Sequence, residues 1–216
     1  MTAKIKNGFF GPMKGLYSSK HGLEELPGGC LRAWIEHDVM PGVTPEMLRW
    51  WFEHINTWTT FNGKDFNGLE VPVYRFWHPF DHIAVSWANQ VTGPDGRLGP
   101  GSIIAIQENI GARHEVRARA LVTKFDEEAF NFNLLLGGLR VGSLDHIYGR
   151  VDGGSSFFTD LKVGVRWPLI GRLMTGLIRK FGFNDPMIKD WILHNIEESG
   201  ETEKFVPQLY AQANGG

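Results

Sequence analysis

The 216-residue sequence contains a single cysteine, Cys30, which cannot form an internal disulfide. The first ten residues, MTAKIKNGFF, lack the apolar run of a secretory signal, so we expect a cytoplasmic protein. No stretch reaches the roughly 18 consecutive apolar residues that a membrane-spanning helix needs. The nearest candidate, residues 167–183, is interrupted by three basic residues. It predicts a helix that covers a sheet, with a helix lying on a membrane surface as the alternative.

Several function classes are excluded by what is missing. The formal net charge of -2 offers no basic surface for nucleic acid. No glycine-rich phosphate loop is present, because Gly137-Gly138 and Gly153-Gly154 are typical of hairpin turns. No nucleophile elbow surrounds Ser155-Ser156, and Cys30 lies in an alternating segment, so neither supports a catalytic triad.

The composition indicates one folded domain. Hydrophobic residues make up 42% of the chain and charged residues 21%, and no linker divides it. Residues 1–28 show little periodicity and predict an N-terminal arm, with a single catalytic domain over residues 29–216. Thr44 and Pro45 predict the start of a helix, since threonine caps and proline fits the first helical position.

From residue 71 onwards, short apolar segments alternate with glycine, aspartate and asparagine, and their short connections favour antiparallel strands. After them, Asp185 and Pro186 predict the start of a C-terminal helix that ends near Ser199, with Gly200 as its stop. An antiparallel sheet followed by a long helix indicates an α+β helix-grip fold, in which a curved sheet wraps the helix around a cavity. The predicted strands are 30–39, 73–77, 83–90, 102–109, 115–125, 129–136, 140–151 and 157–166.

Ionisable residues interrupt the hydrophobic pattern at three places. In the C-terminal helix, Met187, Trp191, His194 and Glu198 share one stripe, so the histidine and the carboxylate can reach a common point. A metal ion would satisfy both side chains. The alternative is an exposed helix end with a modest contact between His194 and Glu198.

The second place is the segment 74–82, in which His78 and His82 flank a proline turn. His82 is the better ligand candidate because it stands at the entrance of an apolar strand. Asp81 and His78 could then orient His82 through hydrogen bonds. The alternative is a core histidine whose hydrogen bonds are satisfied beside a solvated neighbour.

The third place is Glu108, which shares a strand face with Ile104 and Ile106. Burying an unpaired carboxylate costs several kcal/mol, roughly, unless a proton or a cation compensates it. The alternatives are a strand end that is already solvated or a salt bridge to a nearby arginine, namely Arg113, Arg117 or Arg119. Together with His82, His194 and Glu198, this carboxylate would form a four-ligand site of the kind that zinc accepts.

Four motifs carry a resemblance to a known family. The segment Met40–Phe52, the pattern Tyr74-x-x-Trp-His-Pro-x-x-His82, the turn Glu108-Asn-Ile-Gly111 and the late pair His194-x-x-x-Glu198 resemble the 2,4-diacetylphloroglucinol hydrolase family, which includes phloretin hydrolase. The similarity covers roughly residues 39 to 211.

The resemblance implies a Bet v 1-like helix-grip fold that binds Zn²⁺ through His82, Glu108, His194 and Glu198. It also implies hydrolysis of the carbon–carbon bond between an acyl carbonyl and a polyhydroxylated aromatic ring, in an acylphloroglucinol or a related diketone. Tyr74 matches a family tyrosine that holds a phenolic oxygen, and Val85 lies where a substrate-contacting residue is expected. The remaining predicted catalytic or substrate-binding residues are His78, His146, Trp77 and Tyr148.

Two other functions fit the same fold. One is a carrier of a hydrophobic metabolite that needs no metal, and the other is a metal-dependent isomerase or cyclase. The expected partner is a small aromatic ketone, and the sequence leaves a homodimer open.

Overall fold

A computed structural model describes residues 5–215, so residues 1–4 of the predicted arm and residue 216 lie outside the described part. The helices are α1 (Pro45–Glu53), α2 (Val73–Trp77), α3 (Gly171–Phe181) and α4 (Asp185–Ala213). The long strands are β1 (Ser19–Glu25), β2 (Leu31–His37), β3 (His82–Asn89), β4 (Ile103–Ile110), β5 (His114–Phe125), β6 (Ala129–Leu136), β7 (Leu139–Val151) and β8 (Gly154–Val163). Two-residue strands lie at Asn7–Gly8, Gly11–Pro12, Met40–Pro41, Trp58–Thr59 and Val71–Pro72, with 3-10 turns at Leu16–Ser18 and Pro27–Gly29.

The long strands form one antiparallel sheet in the order β1-β2-β8-β7-β6-β5-β4-β3, and Met40–Pro41 pairs beside β8. Helix α4 contacts both β2 and β4, which stand near opposite ends of this order. Five strand spacings of about 4.8 Å are much wider than one helix, so the sheet must curve around α4. This arrangement confirms the predicted α+β helix-grip fold.

Two apolar clusters fill the space between the sheet and the helices. One lies beneath α1 and α2 and includes Trp51, Phe76 and Phe205. The other lies between the first half of α4 and strands β2 and β8, and includes Ile35 and Ile188. The cavity described below separates the sheet from α4 and is lined by both clusters. Among the described residues, no helix is long and apolar enough to cross a membrane.

The N-terminal segment contains more regular structure than its sequence predicts. Ser19–Glu25 forms the edge strand β1, paired along its length with β2. An edge strand has few buried side chains, and therefore no strong apolar alternation marks it in the sequence. Gly22 fits there because a Cβ would come within 2.6 Å of the Trp34 indole. The division into an arm over residues 1–28 and a domain over residues 29–216 stays a prediction.

One predicted strand is a helix in the structure, and one predicted helix start is confirmed. Val73–Trp77 is the short helix α2 rather than a strand, and its apolar side chains are buried on more than one side. Periodicity cannot separate a short buried helix from a buried strand. The predicted helix start Thr44 is confirmed, because its side chain accepts a hydrogen bond from the Met47 amide.

The C-terminal helix is longer than predicted. Asn184, not Asp185, caps it by accepting from the Met187 amide at 3.0 Å. Gly200 does not end it, and the helix continues to Ala213. Glycine suits position 200 because a Cβ would lie 2.7 Å from the side chain of Lys14, which crosses the helix there. Buried residues beyond Gly200, such as Phe205, extend the apolar face that packs on α1 and α2.

Candidate metal centre

His82, the first residue of β3, presents a ring nitrogen to the interior. Its Nδ1 lies 2.8 Å from the carbonyl oxygen of Tyr74, and a carbonyl only accepts, so Nδ1 carries the proton. The other nitrogen, Nε2, therefore keeps a free lone pair. The Tyr74 ring stacks on the imidazole at a centroid distance of 3.8 Å and fixes its plane. Burial lowers the pKa of His82 to about 3, so the ring is neutral.

His194, on α4, faces the same point. Its Nδ1 lies 3.0 Å from Oδ2 of Asp81, which also accepts from the Gly111 amide at 2.9 Å. Nε2 is therefore the nitrogen that faces the interior. Burial lowers the pKa of His194, but the carboxylates of Glu198, Asp81 and Glu108 outweigh it and raise the pKa to about 9. The surroundings thus stabilise positive charge at this position.

Glu108, on β4, is paired with His82 on the neighbouring strand β3. Its Oε1 accepts a hydrogen bond from the Tyr74 hydroxyl. The face that Glu108 shares with Ile104 and Ile106 lines the cavity, as the alternation of the strand predicts. A partly buried carboxylate is therefore held against an apolar wall.

Glu198 lies one helical turn beyond His194 on α4. Asn195 donates to its Oε1 at 2.5 Å, which leaves Oε2 directed toward the two histidines. Burial raises the pKa of Glu198 to about 7, despite the opposing effect of His194. A second carboxylate is thus placed where water cannot solvate it.

Each of the two histidines lies close to both carboxylates, although only His82, Glu108 and His194 have ligand atoms that all lie within 4.8 Å of one another. His82 Nε2 lies 3.1 Å from Glu198 Oε2 and 3.6 Å from Glu108 Oε1. His194 Nε2 lies 3.6 Å from Glu198 Oε2 and 3.9 Å from Glu108 Oε2. Among the described residues, His82 Nε2 has no hydrogen-bond partner, although it lies 3.1 Å from Glu198 Oε2. With its raised pKa, His194 is protonated and pairs with the carboxylates, whereas the lone pair of His82 Nε2 lies beside them without a donor.

This donor set fits a divalent metal ion. Bonds of about 2.0–2.2 Å in a tetrahedral zinc site place neighbouring donor atoms about 3.3–3.6 Å apart, close to the separations observed. His82, Glu108 and His194 form one of two groups whose ligand atoms lie close enough to hold a metal. The other group, His78, Asp81 and His194, is already hydrogen-bonded and is a weaker candidate.

The residues of the second group form hydrogen bonds that hold His194 of the first group in place. The Asp81 amide donates to His78 Nδ1 at 3.0 Å, so His78 Nε2 carries the proton that faces Glu197 Oε2 at 3.1 Å. Glu197 also pairs with Lys6 at 2.8 Å, and Asp81 holds His194. The prediction that Asp81 and His78 orient His82 is wrong, since Asp81 orients His194 and the Tyr74 carbonyl orients His82.

Replacing Asp81 by alanine is expected to weaken metal binding by about 10–100-fold, because His194 loses the acceptor that fixes its tautomer. Asp81→Asn retains an acceptor oxygen without the negative charge. Its metal affinity should therefore lie between those of Asp81→Ala and the unchanged protein. Competition with a fluorescent zinc chelator measures both affinities. The exposed carboxylate of Asp65 provides the control, and Asp65→Ala should bind zinc as the unchanged protein does. Equal affinity for Asp81→Ala and the unchanged protein would show that Asp81 does not support a ligand.

A narrow cavity of about 100 Å³ is lined by three of the four side chains, Glu108, His194 and Glu198, whereas His82 is not among its lining residues. Its walls are mostly apolar and come from α1, α2, α4 and the strands from β3 to β8. Its polar members are Tyr74, Glu108, His194, Asn195 and Glu198 near the convergence point, and His146. The apolar members include Phe52, Trp77, Val85, Ile104, Ile106, Phe130, Phe132, Leu134, Leu144 and Trp191. An apolar wall with a few polar groups that converge at one end is typical of a small-molecule site.

Some of the other predicted site residues line this cavity and others do not. Trp77, Val85 and His146 line it, whereas His78 and Tyr148 do not. His78 lies behind Asp81 with both ring nitrogens engaged, which argues against contact with substrate. The Tyr148 hydroxyl donates to the carbonyl of Asp126 at 2.7 Å, so it is directed away from the cavity.

Sequence reasoning missed Asn195 and Glu197, which bond Glu198 and His78. It also missed Thr159, whose hydroxyl lies 3.3 Å from His146 Nδ1 and 3.1 Å from His37 Nε2. The available signal was the run of buried acids on α4, where Glu197, Glu198 and Glu201 recur at helical spacing. Asn195 and Thr159 carry no such signal, because single polar residues are common in helices and strands.

Comparison with protein families matches residues 13–121 of this chain to the DAPG hydrolase PhiG domain. The matched range includes His82 and Glu108, while His194 and Glu198 lie beyond it. A search of curated proteins finds no match to the sequence.

Solved structures with a related arrangement have low sequence identity. Ara h 8.0201 is 13% identical, with a TM-score of 0.45 over 86% of this chain and 98% of its own. Protein Ms6760 from Mycobacterium smegmatis is 11% identical, with a TM-score of 0.46 over 90% of this chain and 97% of its own. A START superfamily protein from Mycobacterium smegmatis is 13% identical, with a TM-score of 0.44 over 83% of this chain and 98% of its own.

Proposed function

The chain belongs to the DAPG hydrolase PhiG domain family, and on this basis we propose that it is a zinc-dependent hydrolase of acylated phenols. The reaction is cleavage of the carbon–carbon bond between an acyl carbonyl and a polyhydroxylated aromatic ring. One observation supports it most directly. The ring nitrogens of His82 and His194 lie close to the carboxylates of Glu108 and Glu198 beside an apolar cavity.

His82, Glu108, His194 and Glu198 would hold the zinc ion. When bound, zinc supplies Lewis acidity, which polarises a carbonyl oxygen and lowers the pKa of water. The two histidines and two carboxylates match the nitrogen and oxygen donors that zinc takes in proteins, and no cysteine is needed. The hydrogen bonds from Tyr74 and Asn195 hold the carboxylates in place.

The cavity walls would bind the aromatic ring of the substrate and exclude water from it. Phe52 and Phe130 provide apolar faces, and Trp77 and Val85 complete the wall near Tyr74. Burial raises the pKa of the Tyr74 hydroxyl well above its ordinary range, so this group keeps the proton that it donates to Glu108, and its oxygen can accept a hydrogen bond from a phenolic hydroxyl.

Hydrolysis adds the hydroxyl of water to the acyl carbon and a proton to the ring carbon, which leaves a carboxylic acid and the free phenol. The ring hydroxyls make this carbon a tolerable leaving group, because the ring can hold the charge as an enolate. Burial lowers the pKa of His146 to about 3, so its ring is neutral at pH 7. We assign it to a hydrogen bond with a ring oxygen rather than to proton delivery.

Two alternatives use the same fold. A carrier of a hydrophobic metabolite would need no metal and would leave its ligand unchanged. A metal-dependent isomerase or cyclase would contain zinc but release no acid. The cytoplasmic location, supported by the single buried Cys30, and assembly as a homodimer stay predictions.

Incubating the purified protein with phloretin or an acylphloroglucinol is expected to release a carboxylic acid in equal amount to the phenol formed. Removing the metal with a chelator should abolish this release, and adding zinc should restore it, because the ion supplies the Lewis acidity. Chromatography of both products measures the reaction. Persistent zinc with no acid from any acylphenol would favour the isomerase, and a protein without metal that retains the ligand would favour the carrier.

A further inference from the structure

Helix α3 exposes its apolar face to solvent. Its buried residues are Gly171, Thr175 and Ile178, while Leu173 and Phe181 are 67% and 77% exposed. Leu173, Leu177 and Phe181 recur every four residues and therefore form one line along the helix. We call this line the α3 ridge, with the two exposed residues that precede the helix, Leu169 and Ile170.

The contacts of α3 with the rest of the protein fix this orientation. The Thr175 hydroxyl bonds the Val165 backbone at both N and O, at 2.9 and 3.0 Å. A Cβ on Gly171 would lie 3.0 Å from the Val165 carbonyl, so only a small residue allows this approach. Leu169 has a φ of 65°, which is uncommon outside glycine, and its side chain is directed into solvent. The apolar line is therefore held outward.

Basic residues surround the ridge. The segment 161–184 contains Lys162, Arg166, Arg172, Arg179 and Lys180 and no acidic residue, although the whole chain has a net charge of -2. Within the described part of the chain, Arg166, Arg172 and Lys180 form no ion pair, whereas Arg179 pairs with Glu25 and Asp185. Arg172 and Lys180 directly precede Leu173 and Phe181 and so flank the ridge.

We propose that α3 docks this protein on an anionic lipid bilayer. The ridge enters the boundary between headgroups and acyl chains, and the flanking basic residues contact the anionic headgroups. An exposed apolar line with free positive charge on its border matches both parts of such a surface. The inference rests on α3 alone and is independent of the proposed reaction.

A second copy of the chain and a nucleic acid both match this surface less well than a bilayer does. A symmetric contact with a second copy would bring Arg172 and Lys180 close to their own counterparts, and like charges repel at short distance. A nucleic acid would neutralise the basic residues but would leave the apolar ridge in water. The ridge also ends two residues before Phe183, which lines the cavity, so a docked bilayer lies near that end of the cavity.

Flotation with lipid vesicles tests the proposal. The full chain should float with vesicles of phosphatidylcholine and phosphatidylglycerol and much less with phosphatidylcholine alone. The double variant Leu173→Ser/Leu177→Ser should bind at least about tenfold more weakly, because it loses apolar burial. Arg172→Glu/Lys180→Glu should lose about twentyfold or more, since each basic residue near an anionic surface contributes about fivefold.

Matched controls separate docking from general stickiness. Leu69 is 88% exposed without a basic flank, and Arg119 is an exposed arginine on β5, so Leu69→Ser and Arg119→Glu should float like the unchanged protein. Thermal unfolding of all variants should match, because the changed side chains are mainly exposed. Equal binding to both lipid compositions, or no binding, would overturn the proposal. So would a concentration-dependent dimer that needs Leu173 and Leu177 in sedimentation runs without vesicle binding.

Discussion

Replacing His194 by alanine is expected to reduce the zinc content from about one ion per chain to a small fraction and to slow acylphenol hydrolysis by at least about 10³-fold. The first effect follows because three donors no longer complete the tetrahedral set. The second follows because Lewis acid stabilisation of several kcal/mol is lost, at 1.36 kcal/mol for each factor of ten. Elemental analysis and the acid-release assay measure the two effects.

The control for this variant is His21→Ala, since His21 is an exposed histidine on the edge strand β1. This control should keep both zinc and activity. A His194→Ala protein that folds, retains one zinc per chain and hydrolyses substrate at the original rate would contradict the ligand assignment. Retained zinc without activity would instead indicate that His194 acts on the substrate and that the metal lies elsewhere.

The Glu198→Gln variant is expected to change stability in opposite directions with and without metal. In metal-free protein at pH 8, it should raise the free energy of unfolding by about 3 kcal/mol, because each unit by which folding raises a carboxyl pKa costs about 1.4 kcal/mol once the group is ionised. Folding raises the pKa of this carboxyl from 4.5 to about 7. The ionised form therefore destabilises the folded chain once the pH exceeds the ordinary pKa of 4.5. The cost grows until the pH passes the folded pKa, and the substitution removes it.

With excess zinc, Glu198→Gln should have a lower free energy of unfolding than the unchanged protein. A bound metal stabilises the folded chain by about 2.7 kcal/mol at a hundredfold excess over Kd, and the variant forfeits most of this. Denaturant unfolding in chelator and in zinc measures both differences. The adjacent Glu197 provides the matched control, because it pairs with Lys6 and His78 and Glu197→Gln should destabilise under both conditions. If Glu198→Gln also destabilises without metal, the cluster is a structural ion-pair network.

The sheet and the main helices follow from periodicity. Alternation predicted the strands from β3 to β8 with end points that differ by at most three residues, because one face of each lies against the interior. The edge strand β1 and the short helix α2 were missed, since an edge strand buries little and five apolar residues fit either element. Gly200 was wrongly predicted to end α4, because its contact with Lys14 lies 186 positions away in the chain and no local pattern records it.

The candidate site could be predicted because its ionisable residues stand at positions where the hydrophobic pattern calls for apolar ones. His82, Glu108, His194 and Glu198 each stand on an apolar face, and the structure brings their donor atoms together; their role as ligands stays a prediction. The partners behind them were not predictable. Whether Asp81 holds His82 or His194 depends on the path of the chain between α2 and β3, which the sequence does not record.

The central claim is that these four side chains surround one divalent cation. Crystals of the protein grown with zinc, measured on both sides of the zinc absorption edge, test it most directly. We predict one strong anomalous peak within bonding distance of His82 Nε2, His194 Nε2 and the carboxylates of Glu108 and Glu198. A zinc-loaded crystal with no peak between these atoms, or with hydrogen bonds joining them instead, would contradict it.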